Sequence, residues 1–335
     1  MRLDGSIRAC VAGAAQALAA GKLVAFPTET VYGLGARADD AAAVAKIFFA
    51  KGRPACHPLI VHVAQPSQIV PFASHVPAHA QRLIDAFWPG PLTLILPRVP
   101  AMAEAAAGGQ GSIGLRCPSH PVARALLEAA HALGVPGVAA PSANRFGRIS
   151  PTSAAHVVDE FGADFVERFG ETLTVLDGGE AALGIESSIV DCSRGRPVLL
   201  RPGVLTRARI EAAAGELLLA PDAEAPRAPG TLAAHYAPNA KLRLMPTAML
   251  HTALRVLGDR PWKLAVYSRS IEPSAADGIR YRRMPARAEH AAHELFSVLR
   301  GFDAEGIELI WVESPPPHPE WDGVRDRLTR AAAAA

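Results

Sequence analysis

Over its first 210 residues the chain alternates short apolar runs with segments of helical period, and that alternation is what most narrows its possible folds. KLVAFPT, PLIVHVA, PLTLILP, TLTVLDGG, SSIVDCS and PVLLRPG each hold a strand's length of apolar residues bounded by Gly, Pro, Asp or Ser. Between them, 5–20, AAAVAKIFFAKGR, 77–87, Val122 to Leu133 and SAAHVVDEFG repeat their apolar positions every three to four residues. Ile7, Val11, Ala14 and Leu18 mark the first helix, which Gly21 stops. That spacing, with Asp4 just upstream, makes Ala9 to Ala20 an amphipathic helix rather than a signal-peptide core. ETVYGLGARA, rich in small residues, reads as a loop, and VPGVAAPSAN as a strand running into a loop. Strands and helices in alternation predict one α/β domain over 1–210.

The pattern breaks at 211–238, where four prolines and no long period suggest a linker, too apolar to be a passive spacer. From Lys241 onward LRLMP, a helix over 247–257, WKLAVYS, a helix over 286–301 and IELIWVES follow one another. This β-α-β-α-β order predicts a small Rossmann-like α/β domain over 239–335. Gly109, Gly111 and Gly114 satisfy GxGxxG, but a strand follows them instead of a helix, so no dinucleotide loop is expected there.

A length of 335 residues fits two domains, and 50% hydrophobic residues exclude wholesale disorder. The 34 Lys and Arg nearly cancel the 32 Asp and Glu, so no basic domain marks a dedicated nucleic-acid binder. Cys10, Cys56, Cys117 and Cys192 lie far apart with no CxxC pair. This excludes a zinc ribbon and a disulfide framework and fits a reducing cytoplasm. No run of 18 apolar residues is present to span a membrane. Walker A, HExxH and GxSxG motifs are also missing, and Ser187, after Gly184-Ile185-Glu186, is in no nucleophile elbow.

Four segments are unusually polar for strand ends. In PTETVYGLG, Thr28, Glu29 and Thr30 follow an apolar strand, and two glycines permit close backbone approach; a capped turn explains them equally well. In KGRP, Lys51 and Arg53 can converge on phosphate oxygens, with His57 just beyond; an isolated KxR is more often a solvated helix end. SIGLRCP puts Arg116 inside an apolar strand, where its charge needs a carboxylate or phosphate, from a ligand or from the protein itself. PSAN, followed by SPT, places hydroxyls and an amide where nucleotides bind at strand ends, or where turns are capped. GIESSIVD and LRPG continue the theme. A strand histidine such as His62 is, taken alone, usually solvated or structural.

In order along the chain, PTETVYGLG, KGRP–PL–VHV, FWPGPLTLIL, GLRCPSHP, APSAN, SPT, GIESSIVD and LRPG resemble the YrdC-like family. HYAP at 235–238 followed by a small α/β domain resembles its long two-domain form, the threonylcarbamoyl-AMP synthases. The resemblance implies an N-terminal YrdC-like twisted mixed sheet with helices. It also implies synthesis of threonylcarbamoyl-AMP and pyrophosphate from L-threonine, bicarbonate or CO2, and ATP with Mg2+. The product would feed threonylcarbamoylation of tRNA adenosine by other proteins. The family's roles fall on Lys51, Arg53 and Arg201 as triphosphate ligands, the first two also catalytic. Ser142, Ser150, Asn144, Ser112 and His57 fall on the nucleotide. Thr30, His62, Arg116, Ser187 and the backbone at Ala140 fall on threonine. His235 and Tyr236 would belong to a linker folding back as a lid.

Three positions depart from the family pattern: His57 stands where Asn is common, Phe146 where the residue is usually small, and GIESS replaces the commoner GIEST. The competing readings are a non-catalytic RNA-binding module and a carbamoyl-transfer enzyme of the hydrogenase-maturation type. The even charge and few aromatics weigh against the first, and the missing zinc-finger cysteines against the second.

Overall fold

The computed structural model describes residues 1–257, 263–272 and 279–334. The chain divides into two units, Met1–Phe146 with Ser150–Thr231, and Gly147–Ile149 with Leu232–Ala335.

The first unit runs β1 (Arg2–Asp4), α1 (Arg8–Ala19), β2 (Val24–Phe26), β3 (Gly33–Arg37), α2 (Ala41–Lys51), β4 (Ile60–His62), α3 (Ala78–Phe87), β5 (Leu92–Pro97), α4 (Glu104–Ala107) and β6 (Ser112–Arg116). It continues through α5 (Pro121–Ala132), β7 (Val138–Ala139), α6 (Ala154–Phe169), β8 (Thr174–Asp177), β9 (Ser188–Asp191), β10 (Val198–Arg201) and α7 (Arg207–Ala214). Ten strands form one mixed sheet in the order β1-β8-β2-β3-β7-β4-β6-β5-β9-β10. Strand alternation splits its faces: Val24 and Phe26 pack with Val11 and Leu18 of α1 and Leu126 of α5. Ala25 packs on the other side with Ile47 of α2, Leu83 of α3 and Phe161 of α6. Burying a side chain such as Leu18, which is sealed from solvent, stabilises the fold by about 1.5–3 kcal/mol.

The segment ETVYGLGARA, expected as a loop, contains strand β3. Its small residues serve close packing between β2 and β7: a Cβ at Gly35 would lie 2.8 Å from the Phe26 ring and from Val138. The helix expected over SAAHVVDEFG is α6, which breaks at Gly162 (φ 36°, ψ −137°) and then resumes to Phe169.

The boundary expected at residue 210 cuts through α7, and the division falls later, between Thr231 and Leu232. Residues of the expected linker are tied to the first unit. Leu219 pairs with the backbone at Pro197 and Leu199, and Ala228 is buried with Ile60, Ile189 and Val198. Gln110 and the backbone of Arg227 exchange two hydrogen bonds, at 2.8 and 3.1 Å.

The second unit holds β11 (Lys241–Met245), α8 (Thr247–Val256), β12 (Leu264–Ser268), β13 (Arg280–Arg283), α9 (Ala288–Ala304), β14 (Leu309–Glu313) and α10 (Asp322–Ala332). Among the described residues its four strands are all parallel, in the order β11-β14-β12-β13. Strand β13 and helix α10 are additions to the expected pattern; the mostly polar edge sequence RYRR gives no period-2 apolar signal. Trp262, first residue of WKLAVYS, lies outside the described residues. Among the described residues no helix is long and apolar enough to cross a membrane.

Candidate active site

Helix α2 delivers the first two cations. Asp40 caps its start by accepting from the N–H groups of Ala42 and Ala43. Gly52 ends it in the left-handed region at φ 64°, which puts Lys51 in the last turn and Arg53 just past it. Both are buried, 3% and 8% exposed, so the solvated-helix-end reading does not hold. Lys51 Nζ donates to the carbonyls of Ser142, at 2.7 Å, and Asn144. Among the described residues no carboxylate lies within ion-pair distance of it. Burial, then the neighbouring Arg53, pushes the Lys51 ammonium well below its ordinary pKa, against the pull of Glu160 and Glu186. Arg53 Nη2 donates to Pro58 O at 2.9 Å. The backbone N–H of Phe146 donates to Lys51 O at 2.9 Å, which joins the 142–146 segment to the end of α2.

A second cluster forms where β4 and β6 run side by side. Their parallel register sets His62 directly beside Arg116. Arg116 Nη2 lies 2.7 Å from Glu29 Oε1, so the partner its charge requires is supplied by the protein itself. Neither of these two atoms makes an aligned hydrogen bond, and both keep bonding capacity. Glu29 also accepts from Ser119 N–H at 3.2 Å. His62 is buried, not solvated, and its Nδ1 has no hydrogen-bond partner. Burial, then the charge of Arg116, lowers its pKa to about 3, so the imidazole is neutral at pH 7. Thr30 bonds Thr28 through both its hydroxyl (2.8 Å) and its N–H (3.2 Å), within a turn closed by Thr28 Oγ1 donating to Val31 O. The Ala140 N–H donates to Ile60 O at 2.9 Å.

The third cluster lies at the start of β9. Ser187 Oγ is 2.8 Å from Thr93 Oγ1. Arg201 donates to Ser187 O through Nη2 and Nε, at 2.9 and 3.1 Å, and to Pro229 O through Nη1. Next to Ser187 in the chain, Glu186 accepts from Ser150 Oγ. Ser112 lines one small cavity with Thr93, Gln110 and Pro229.

His235 and Tyr236 belong to the second unit. Tyr236 is buried there at φ 61°, its ring stacked on Phe296 and under the Arg327 guanidinium. Thus the candidate residues of the first unit gather into three clusters, whereas the 235–236 pair is fixed by α9 and α10. Sequence reasoning gave no role to Glu29, Glu186 and Thr93. The signal was present for the two glutamates, since each lies in an apolar strand-end motif and needs a partner when buried.

A family model described as Sua5/YciO/YrdC, telomere recombination, matches residues 16–203. The chain belongs to this family. A second model, described as the threonylcarbamoyl-AMP synthase C-terminal domain, matches residues 205–333. Curated threonylcarbamoyl-AMP synthases of Pyrococcus abyssi and Bacillus subtilis are each 38% identical to this family member, over 93% and 96% of its chain and 91% and 92% of their own. The crystal structure of P. abyssi Sua5 complexed with L-threonine matches with a TM-score of 0.86 and 36% identity, covering 98% of this chain and 95% of that one. The expected two-domain α/β fold is therefore the fold of the family.

Proposed function

We propose that the protein condenses L-threonine, CO2 or bicarbonate, and ATP into threonylcarbamoyl-AMP and pyrophosphate. The observation that carries this reading is the separation of buried charge in the first unit. A guanidinium beside a neutral histidine occupies β6 and β4, and Lys51 and Arg53 stand together at the end of α2. Arg116 suits a carboxylate by planar paired bonds. His62, neutral and with an unbonded Nδ1, suits a polar group of the same amino acid. Lys51 and Arg53 suit phosphate oxygens.

The chemistry asks for no enzyme nucleophile. The threonine amine adds to CO2 and loses a proton, giving a carbamate. A carbamate oxygen then attacks the α-phosphorus, and the bond from that phosphorus to the α,β-bridging oxygen breaks, releasing pyrophosphate. The residues' work is to position the two reactants and to stabilise charge as it shifts onto pyrophosphate. Ser187, bonded to Thr93 and Arg201, has no histidine among its hydrogen-bond partners to act as a base, in keeping with that division of labour.

Among the described residues no three His, Cys, Asp or Glu side chains converge on one point. In this reading Mg2+ would enter with ATP and would offset phosphate charge. Ser142, Asn144, Ser150, Ser112 and Arg201 serve the nucleotide, and Thr30, Ser187 and the Ala140 backbone serve threonine. His235 and Tyr236 are assigned to the nucleotide on the family resemblance. The product would pass, in the cytoplasm, to other proteins that modify tRNA.

The test is pyrophosphate release from ATP with magnesium and bicarbonate, with and without L-threonine, and with serine as control. Release that needs threonine and bicarbonate together, with threonylcarbamoyl-AMP found by mass, is expected. Release indifferent to threonine from folded protein would sink the reading.

A further inference from the structure

Two of the three positions that depart from the family pattern, His57 and Phe146, touch each other. Their rings meet edge to face with centroids 5.3 Å apart and planes at 68°. On the same phenyl ring, the guanidinium carbon of Arg53 lies 5.7 Å from the centroid. That distance is within the range in which a cation is drawn to an aromatic face. Far apart in sequence, the two departures are one feature of the tertiary structure.

We propose that Phe146 and His57 form an aromatic bracket that positions the Arg53 guanidinium for a nucleotide's phosphates. The proposal rests on the reading of Lys51 and Arg53 as phosphate ligands. A free arginine side chain samples many rotamers, and each must be lost on binding. Here the Arg53 guanidinium is located from two sides. The Pro58 carbonyl takes Nη2, and the Phe146 ring meets the guanidinium carbon. Phe146 is itself located, because its backbone N–H donates to Lys51 O. The bracket is thus built onto the same turn that carries both cations. His57 is bonded through its backbone N–H to Pro54 O, and its imidazole meets the Phe146 ring edge to face. A small residue at 146 would leave Arg53 without its aromatic contact. An asparagine at 57 would leave the phenyl ring without its edge partner. Each change alone breaks the unit, so the two should act together and not additively.

Phe146 and His57 are positioning residues, and their signature is selective. Phe146→Ala should raise the KM and the Kd for ATP roughly two- to thirty-fold. The KM for threonine should stay within about twofold, because the hydrogen bonds described for the bracket run to Lys51, Pro54 and Pro58. Phe146→Tyr keeps the ring and should recover most of the lost ATP affinity. His57→Asn should weaken ATP binding in the wild-type background, and much less in the Phe146→Ala background.

The experiment is calorimetric titration of ATP into the full-length chain and these variants, paired with steady-state kinetics and thermal melting. A selective loss of ATP affinity, recovered by tyrosine and non-additive with His57→Asn, establishes the bracket. Three outcomes overturn it. One is unchanged ATP affinity in a folded Phe146→Ala protein. The second is an equal loss for ATP and threonine, and the third is strict additivity of the two substitutions. Calorimetry needs no turnover. Wild-type protein that binds ATP and shows the bracket effect, yet makes no threonine-dependent product, would end the synthase reading and leave the bracket standing.

Discussion

Arg116 and Glu29 meet at 2.7 Å in a pair whose side chains are 5% and 9% exposed. The charge that the family resemblance assigns to a threonine carboxylate already has a carboxylate neighbour. A guanidinium has five donors, and one contact to Glu29 leaves it able to bind a second anion. Glu29 thereby holds Arg116 in place and keeps the site from carrying an uncompensated buried cation.

Arg116→Ala should weaken threonine binding roughly 10- to 100-fold, the range for losing hydrogen bonds to a charged group. ATP binding should change by less than about threefold. The same substitution leaves Glu29 buried without its cation and should cost about 3–5 kcal/mol of stability. Calorimetric titrations of each substrate and a urea melt measure both effects. Equal loss for threonine and ATP would refute the assignment of Arg116.

Lys51 separates activity from stability. Its pKa is lowered on folding, so between that lowered value and the ordinary 10.5 the unfolded chain binds more protons than the folded one. Stability contributed through this residue should therefore rise with pH across that window. Lys51→Met should lack this slope and should cut kcat by about 100-fold or more if the ammonium stabilises the transition state. Melting both proteins at several pH values from neutral upward gives the comparison. Parallel pH profiles would contradict the prediction.

Glu313 governs the acid side in the second unit. It ends β14, is 2% exposed, and accepts from Ser268 Oγ (2.5 Å), Thr247 Oγ1 (2.8 Å), and the N–H groups of Arg269 and Ser270. Burial works to raise its pKa, but these donors outweigh it and hold the carboxyl at about 2, below the usual 4.5. The stability it contributes is present above 4.5 and is lost as pH falls through about 2. Glu313→Gln should lower stability at pH 7 by about 2 kcal/mol, through loss of charge-assisted bonds. It should also flatten the acid limb of the melting curve. An unaltered acid limb would count against this role.

The fragment boundary is a further test. Cutting after Leu219 removes Ala228 from its core with Ile60 and Ile189, the Gln110–Arg227 bonds, and the Arg201–Pro229 bond. A fragment ending at Thr231 should be more stable than one ending at Leu219 by about 2–3 kcal/mol, the sum of a few net hydrogen bonds. The shorter fragment should fold but turn over poorly. Urea melts and pyrophosphate assays of the two fragments decide it, and indistinguishable behaviour would mean the segment is passive.

The local elements were legible along the chain. The helix at α2, strands β2, β4, β5 and β9, and the α/β class follow from short-range period and turn chemistry. The sequence also singled out Lys51, Arg53 and Arg116, because charge amid apolar strands and helix ends is costly and needs a purpose. Partners were another matter. That Glu29 serves Arg116, that Ser187 meets Thr93 and Arg201, and that His57 leans on Phe146 all depend on contacts between segments distant in the chain. The small residues of β3 looked like a loop because their purpose is to let Phe26 and Val138 come close, a demand set by neighbouring strands. Local propensity is written in nearest neighbours along the chain. Pairing is decided by strand order and burial, which exist only once the sheet has formed.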